Sequence, residues 1–182
     1  MTDQQDDRMA WFREARFGMF IHWGLWAVAG RDASSPVFFK DMPIAEYEKL
    51  ADRFLPAEGF AREWARLAKR AGMKYVVFVS KHCDGFCLFD SRLTDYTSVK
   101  RGPRRDLVKE VTEAFRAEGL RIGLYYAPTD FHCAPYLRVA NGDSSCREEL
   151  REVLEEWILF RVHRHLPLPV IDDIELTIKE VA

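Results

Sequence analysis

Lys74-Tyr75-Val76-Val77-Phe78-Val79-Ser80 is the most constraining stretch of the chain, because it is β-branched or aromatic almost throughout. That is strand composition. A helical pattern lies on each side of it. Phe60 to Ala71 carries Phe60, Trp64, Leu67 and Ala68 on one stripe, with Gly72 as its stop. Asp106 to Glu118 repeats the pattern and Gly119 closes it, and Arg121-Ile122-Gly123-Leu124-Tyr125-Tyr126 follows as the next strand. A strand that reaches its neighbour through an amphipathic helix has a connection long enough for parallel pairing. Parallel strands alternating with helices define the α/β class.

The remaining chain is expected to extend this order. Trp11 to Ala15 reads as a lead-in helix, and Phe17 to Gly24 as an apolar run of strand length suited to a sheet covered on both faces. Gly30 to Pro36 is turn-rich. Ile44 to Phe54 reads as one helix with Ile44, Tyr47, Leu50 and Phe54 on a face, broken at Leu55-Pro56. Ala127 to Ser145 is a loop. Arg147 to His165 reads as a helix with Leu150, Val153, Leu154 and Trp157 inward, ended by Pro167 and Pro169, and Val170 to Ile178 as a fourth strand. A closed (β/α)8 barrel takes about 250 residues. The 182 residues here fit a partial (β/α)8 TIM-type barrel of about three to four βα units. Such a part would leave open strand edges and an uncovered barrel-facing layer, with Phe20, Val77, Phe78 and Leu124 affected. Self-association through those edges is the expected result.

Net charge is −2, with acids and bases interspersed, so no basic stripe suggests a nucleic-acid partner. No apolar run is long enough to span a bilayer. The start, Met1-Thr2-Asp3-Gln4-Gln5-Asp6-Asp7, is polar and acidic, unlike a secretory signal, and a cytoplasmic location is the default expectation. The four cysteines, Cys83, Cys87, Cys133 and Cys146, match no zinc-finger spacing and read as free thiols. A metal cluster of His82, Cys83, Cys87, His132 and Cys133 is the sharper alternative, and the spacing disfavours it.

In parallel α/β sheets, ligands meet the carboxyl ends of the strands. Three segments at such ends mix rings with hydrogen-bonding groups: Ile21-His22-Trp23-Gly24, Lys81-His82-Cys83-Asp84-Gly85-Phe86, and Tyr125 to His132. A sugar needs both, donors for its hydroxyls and flat apolar surface for its C–H face. Each segment also has a plainer reading. His22 could be a satisfied core histidine. Asp84-Gly85 could be turn chemistry. One of Tyr125 and Tyr126 should be partly core, since successive strand residues alternate faces.

Several motifs together resemble the α-L-fucosidases, a family of retaining glycoside hydrolases. They are WFREARFGMFIHWGLW from Trp11 to Trp26, MPIAEYEKLADRFL from Met42 to Leu55, EWARLAKRAGMKYVVFVSKHCDGFCLFDSRLTDYTSVKRGPRRD from Glu63 to Asp106, and GLRIGLYYAPTDFH from Gly119 to His132. The resemblance runs from about Trp11 to Pro135. It implies the N-terminal part of a catalytic barrel that acts on an α-L-fucoside or fucosylated glycan, with no cofactor and no metal. It also implies that His22, His82 and Tyr125 bind the sugar.

Departures from the family pattern are equally specific. The family's paired histidines before Asp-Gly-Phe are His82 and Cys83 here. Its Glu-Trp pair before the Met-Pro-Ile segment is replaced by Pro36-Val37-Phe38-Phe39, and the tryptophan and paired histidines after Pro128 by Phe131 and His132-Cys133. The family's nucleophile is an aspartate in a Trp-Phe-Asp-Gly-like strand end, and its acid/base lies further on. Here VIDDIELTI stands instead, and residues 158–182 do not resemble the family. Asp172 and Asp173 are the nucleophile candidates by order along the chain. Without the carboxylate pair, weak or absent hydrolysis is expected. A non-catalytic carbohydrate-binding remnant or gene fragment is the alternative reading.

Overall fold

The computed structural model describes residues 4–32 and 42–133, with side chains from Ala10 onward in the first stretch. The described residues belong to one compact unit that ends at Cys133. Three strands, β1 (Gly18–Ile21), β2 (Tyr75–Lys81) and β3 (Arg121–Tyr126), form a sheet in the order β1-β2-β3. Both pairings are parallel, as the helix-containing connections require. The expected helix Arg147 to His165, the expected fourth strand Val170 to Ile178, and both Asp172 and Asp173 lie outside the described residues.

Helix α1 (Gln4–Ala15) begins well before the expected Trp11. Its first turns are polar and show no apolar stripe to read. Trp11 packs edge-on against Tyr75, ring centroids 6.1 Å apart, beneath the Arg121 guanidinium 4.4 Å above it. The helix therefore sits at the amino ends of β2 and β3. The Ile44 to Phe54 segment is not one α-helix. A single α turn, α2 (Ile44–Tyr47), passes into a 3₁₀ helix over Glu48–Arg53. The apolar spacing 44, 47, 50 already has the three-residue repeat of 3₁₀ geometry. Tyr47, Leu50, Ala51 and Phe54 are buried.

Helices α3 (Phe60–Arg70) and α4 (Leu107–Ala117) fall where the periodicity places them. Each closes with the same motif: Met73 N–H donates to Ala68 O, and Leu120 N–H donates to Phe115 O, both at 3.0 Å. Asp106 caps α4, its carboxylate accepting from Lys109 N–H at 2.8 Å. The buried face of α3 is Phe60, Ala61, Ala65 and Ala68, and Leu67 is exposed. The stripe is thus rotated from the expected one, and the helix packs mainly against α4.

The register separates two sheet faces. Phe78 pairs with Ile21 and Leu124, and Val77 pairs with Phe20 and Gly123. Val76 and Phe78 enter the core beside Phe60, Ala65, Val111 and Phe115. Phe78 is completely buried, contrary to the expectation of an uncovered residue, because it lies on the helix-covered face. Phe20 is 56% exposed on the opposite face, and Leu124 is 53% exposed at the β3 edge. β1 is therefore not buried on both sides.

Candidate functional site

Beyond Ile21 the strand alternation sends consecutive residues to opposite sides. Trp23 joins the helix-side aromatic cluster, with centroids 4.7 Å from Phe54 and 5.2 Å from Trp64. His22 turns to the other face and is exposed, so it is not a core histidine. Its ring lies 4.8 Å from His82, 6.2 Å from Tyr125 and 5.6 Å from Trp26. The His82 and Tyr125 rings stack at 5.8 Å with 26° between planes. His22, His82 and Tyr125, on three different strands in sequence, thus form one ring cluster at the carboxyl edge of the sheet. Trp26 completes its wall, 5.1 Å from His82. Sequence reasoning missed Trp26, although its four-residue spacing from His22 was visible.

An irregularity in β2 accounts for the position of His82. Val79 pairs with Tyr125 and Lys81 with Tyr126, so Ser80 is an extra residue in β2. Regular alternation would place His82 on the helix side with Phe78. The bulge shifts it by one and delivers it beside Tyr125. Ser80 Oγ donates to Tyr125 O at 2.8 Å and holds the irregular strand together. Neither tyrosine is core: Tyr125 faces the histidines and Tyr126 lies under the Lys81 ammonium, 5.1 Å from its ring centre, and both are over a third exposed.

Burial lowers the pKa of His22. The same cause, reinforced by His22 and then by the charge of Lys81, brings His82 down to about 4. A neutral imidazole offers one N–H donor and one acceptor nitrogen. That suits hydroxyl groups, which donate and accept.

The acidic residues near these strand ends are already engaged. Asp84 is buried. The Tyr47 hydroxyl donates to its Oδ2 at 2.6 Å and Phe86 N–H to its Oδ1 at 3.3 Å. Burial pushes its pKa up to about 6. The Asp84-Gly85 turn expected from sequence is present, with Gly85 N–H donating to His82 O at 3.0 Å. Asp130 Oδ2 pairs with Lys81 Nζ at 3.0 Å, and Oδ1 accepts from His132 and Cys133 N–H. Glu48 Oε1 lies 2.7 Å from His132 Nδ1. Cys83, Cys87 and Cys133 are free thiols, and Cys146 lies outside the described residues. Among the described residues no three His, Cys, Asp or Glu side chains gather as a metal site, so the five-residue cluster weighed from sequence does not form.

Residues 1–159 match the family model described as alpha-L-fucosidase. The chain belongs to the α-L-fucosidase family. Its similarity to the human plasma α-L-fucosidase is 36% identity over 135 residues, 65% of this chain and 29% of that relative. With the tissue α-L-fucosidase of Rattus norvegicus it is 36% over 149 residues, 72% of this chain and 32% of the relative. Among solved structures, α-L-fucosidase isoenzyme 1 from Paenibacillus thiaminolyticus shares 48% identity at a TM-score of 0.68, covering 72% of this chain and 31% of that one. An α-L-fucosidase from Bacteroides thetaiotaomicron, captured as a covalent intermediate with 2-fluoro-fucosyl fluoride, shares 32% identity at a TM-score of 0.76, covering 88% and 39%. The chain spans about a third of the length of these relatives.

Proposed function

We propose that this chain forms the sugar-orienting part of an α-L-fucoside site on the first strands of a (β/α)8 barrel, with His22, His82 and Tyr125 contacting the sugar. The observation that carries the reading is the meeting of these three rings at the carboxyl ends of three adjacent parallel strands. Neutral imidazoles supply a donor and an acceptor each, and the exposed Tyr125 ring supplies apolar surface for the C–H face of the sugar. The substrate class is an α-L-fucoside or the fucosylated end of a glycan.

Retaining hydrolysis needs two carboxyl groups about 5–5.5 Å apart, one as nucleophile and one as acid/base. Asp84, Asp130 and Glu48 are each committed to another group, which makes them poor candidates for either role. Asp172 and Asp173 remain the nucleophile candidates in this chain. We therefore infer weak or absent hydrolysis by the chain alone.

Titration with L-fucose, followed through the ring resonances of His22, His82 and Tyr125, tests the binding. Shifts at all three are expected, and those of His22 and Tyr125 are lost in His82→Ala. No perturbation of any of the three would overturn the sugar site. A chromogenic α-L-fucoside tests the chemistry. Turnover at ordinary enzymatic rates, roughly 1–10³ per second, would show that a working carboxylate pair is present, and Asp172→Asn and Asp173→Asn would then locate the nucleophile.

A further inference from the structure

We propose that Lys81 is a positioning residue, whose buried ammonium clamps the loop after β3 onto the end of β2 and so fixes the stacked pair of His82 and Tyr125. The proposal rests on the sugar-site reading above and adds to it the device that holds two of its three rings in register.

Lys81 immediately precedes His82, and its side chain is only 4% exposed. Its ammonium meets three oxygens, all in the segment just past Tyr125: Ala127 O at 3.2 Å, Thr129 O at 3.3 Å and Asp130 Oδ2 at 3.0 Å. Three donors therefore find three acceptors, the full capacity of an ammonium. Asp130 is fixed in turn, because its Oδ1 takes the His132 and Cys133 N–H groups at 2.9 and 3.0 Å. The main chain is tied at the same places. Ala127 N–H donates to Lys81 O at 3.0 Å, and Phe131 N–H to Cys83 O at 2.7 Å. These links fall on either side of His82, at Lys81 and Cys83, and tie both to the segment that follows Tyr125.

The energetics favour positioning over stability as the reason for a charge here. A buried ion pair is often no more stabilising than apolar side chains of the same volume, because both ions must be desolvated. Its distinctive property is direction. The ammonium must stand where its acceptors converge, whereas an apolar side chain would tolerate sliding of one loop over the other. The bulge at Ser80 makes such a constraint useful, since bulged strands have lost ladder hydrogen bonds and their register is set by other contacts.

Lys81→Met tests the clamp in the full-length chain. It keeps the volume and leaves Asp130, which is 24% exposed, able to reach water. The readouts are the through-space NMR contact between the His82 and Tyr125 rings and the affinity for L-fucose. The Trp23–Trp64 contact, in the helix-side core, is the internal control. The clamp predicts a weakened His82–Tyr125 contact, an intact Trp23–Trp64 contact, and fucose affinity reduced roughly tenfold, the equivalent of about one well-placed hydrogen bond. An unchanged His82–Tyr125 contact would overturn it. Should Lys81→Met fold poorly, Lys81→Met/Asp130→Asn removes both charges and gives the same readout. If the parent chain bound no fucose, the sugar reading alone would fall, and the ring contact would still decide the clamp.

Discussion

At the residue scale, the proposed sugar site is built on histidines that burial holds in the neutral form. Burial lowers the His82 pKa most, and the neighbouring His22 and then the preceding Lys81 add to it. Its titration midpoint, read from its own ring resonance, should fall near 4, well below the ordinary 6.5. A midpoint near 6.5 would mean the ring is solvated and free of its neighbours. The consequence for stability has a definite sign. With its folded value depressed, His82 takes up a proton more readily once the chain unfolds, so it removes stability as pH falls from about 6.5 towards 4. Asp84 acts in the opposite sense. Its folded value is raised from 3.8 to about 6, so it costs stability as pH rises through that interval. The two slopes oppose each other, and the His82 resonance separates them where a melting curve cannot. The placement of His22, His82 and Tyr125 at strand ends was legible in the sequence because each stands at the end of a strand-like run. The partners Tyr47–Asp84 and Lys81–Asp130 were not, because they are joined across loops from positions 37 and 49 residues apart. The one available signal was Lys81 itself, since a lysine that continues an apolar strand is rarely buried without a partner.

At the scale of elements, structure follows the sequence where the apolar period is regular and departs from it where one residue breaks the period. Helices α3 and α4 and strands β2 and β3 lie where apolar spacing and glycine stops put them. The Ser80 bulge has no compositional signature, yet it decides which face His82 occupies. The 3₁₀ stretch over Glu48–Arg53 resembles α-helix in sequence, because only the count between apolar residues, three in place of 3.6, tells them apart. The loops after β2 and β3 meet at Gly85, which has φ +82°. A Cβ there would stand 2.5 Å from Asp130 Oδ1 and 2.6 Å from His132 Cβ. Gly85→Ala should therefore combine backbone strain with a clash and cost about 1–3 kcal/mol. Urea unfolding measures it, and a loss below a few tenths of a kcal/mol would show that the two loops yield easily. Asp84-Gly85 was legible as a turn. The approach of a second loop to it was not, because that depends on the end of β3.

At the scale of the molecule, helices cover only one face of the sheet among the described residues. Helices α3 and α4 cover Val76 and Phe78, while Phe20 on the opposite face and Leu124 at the edge remain more than half exposed. Tyr125 and Tyr126 are each over a third exposed nearby. Among the described residues β1 and β3 each have a single strand partner, so within these residues each is an edge strand. Exposed apolar side chains beside a free edge favour association, and the partner always at hand is a second copy of the chain. We therefore expect purified protein at micromolar concentration to sediment as a dimer or larger species and to bind a hydrophobic dye. Phe20→Glu should shift it towards monomer, because a charge on the exposed face would have to be desolvated in the contact. The same substitution should leave the folded core intact, since Phe20 is not among the residues that pack against Phe78 and Phe115. A parent chain that sediments as a monomer, unfolds cooperatively and binds no dye would show that this face needs no cover. The exposed rings would then serve ligand contact alone.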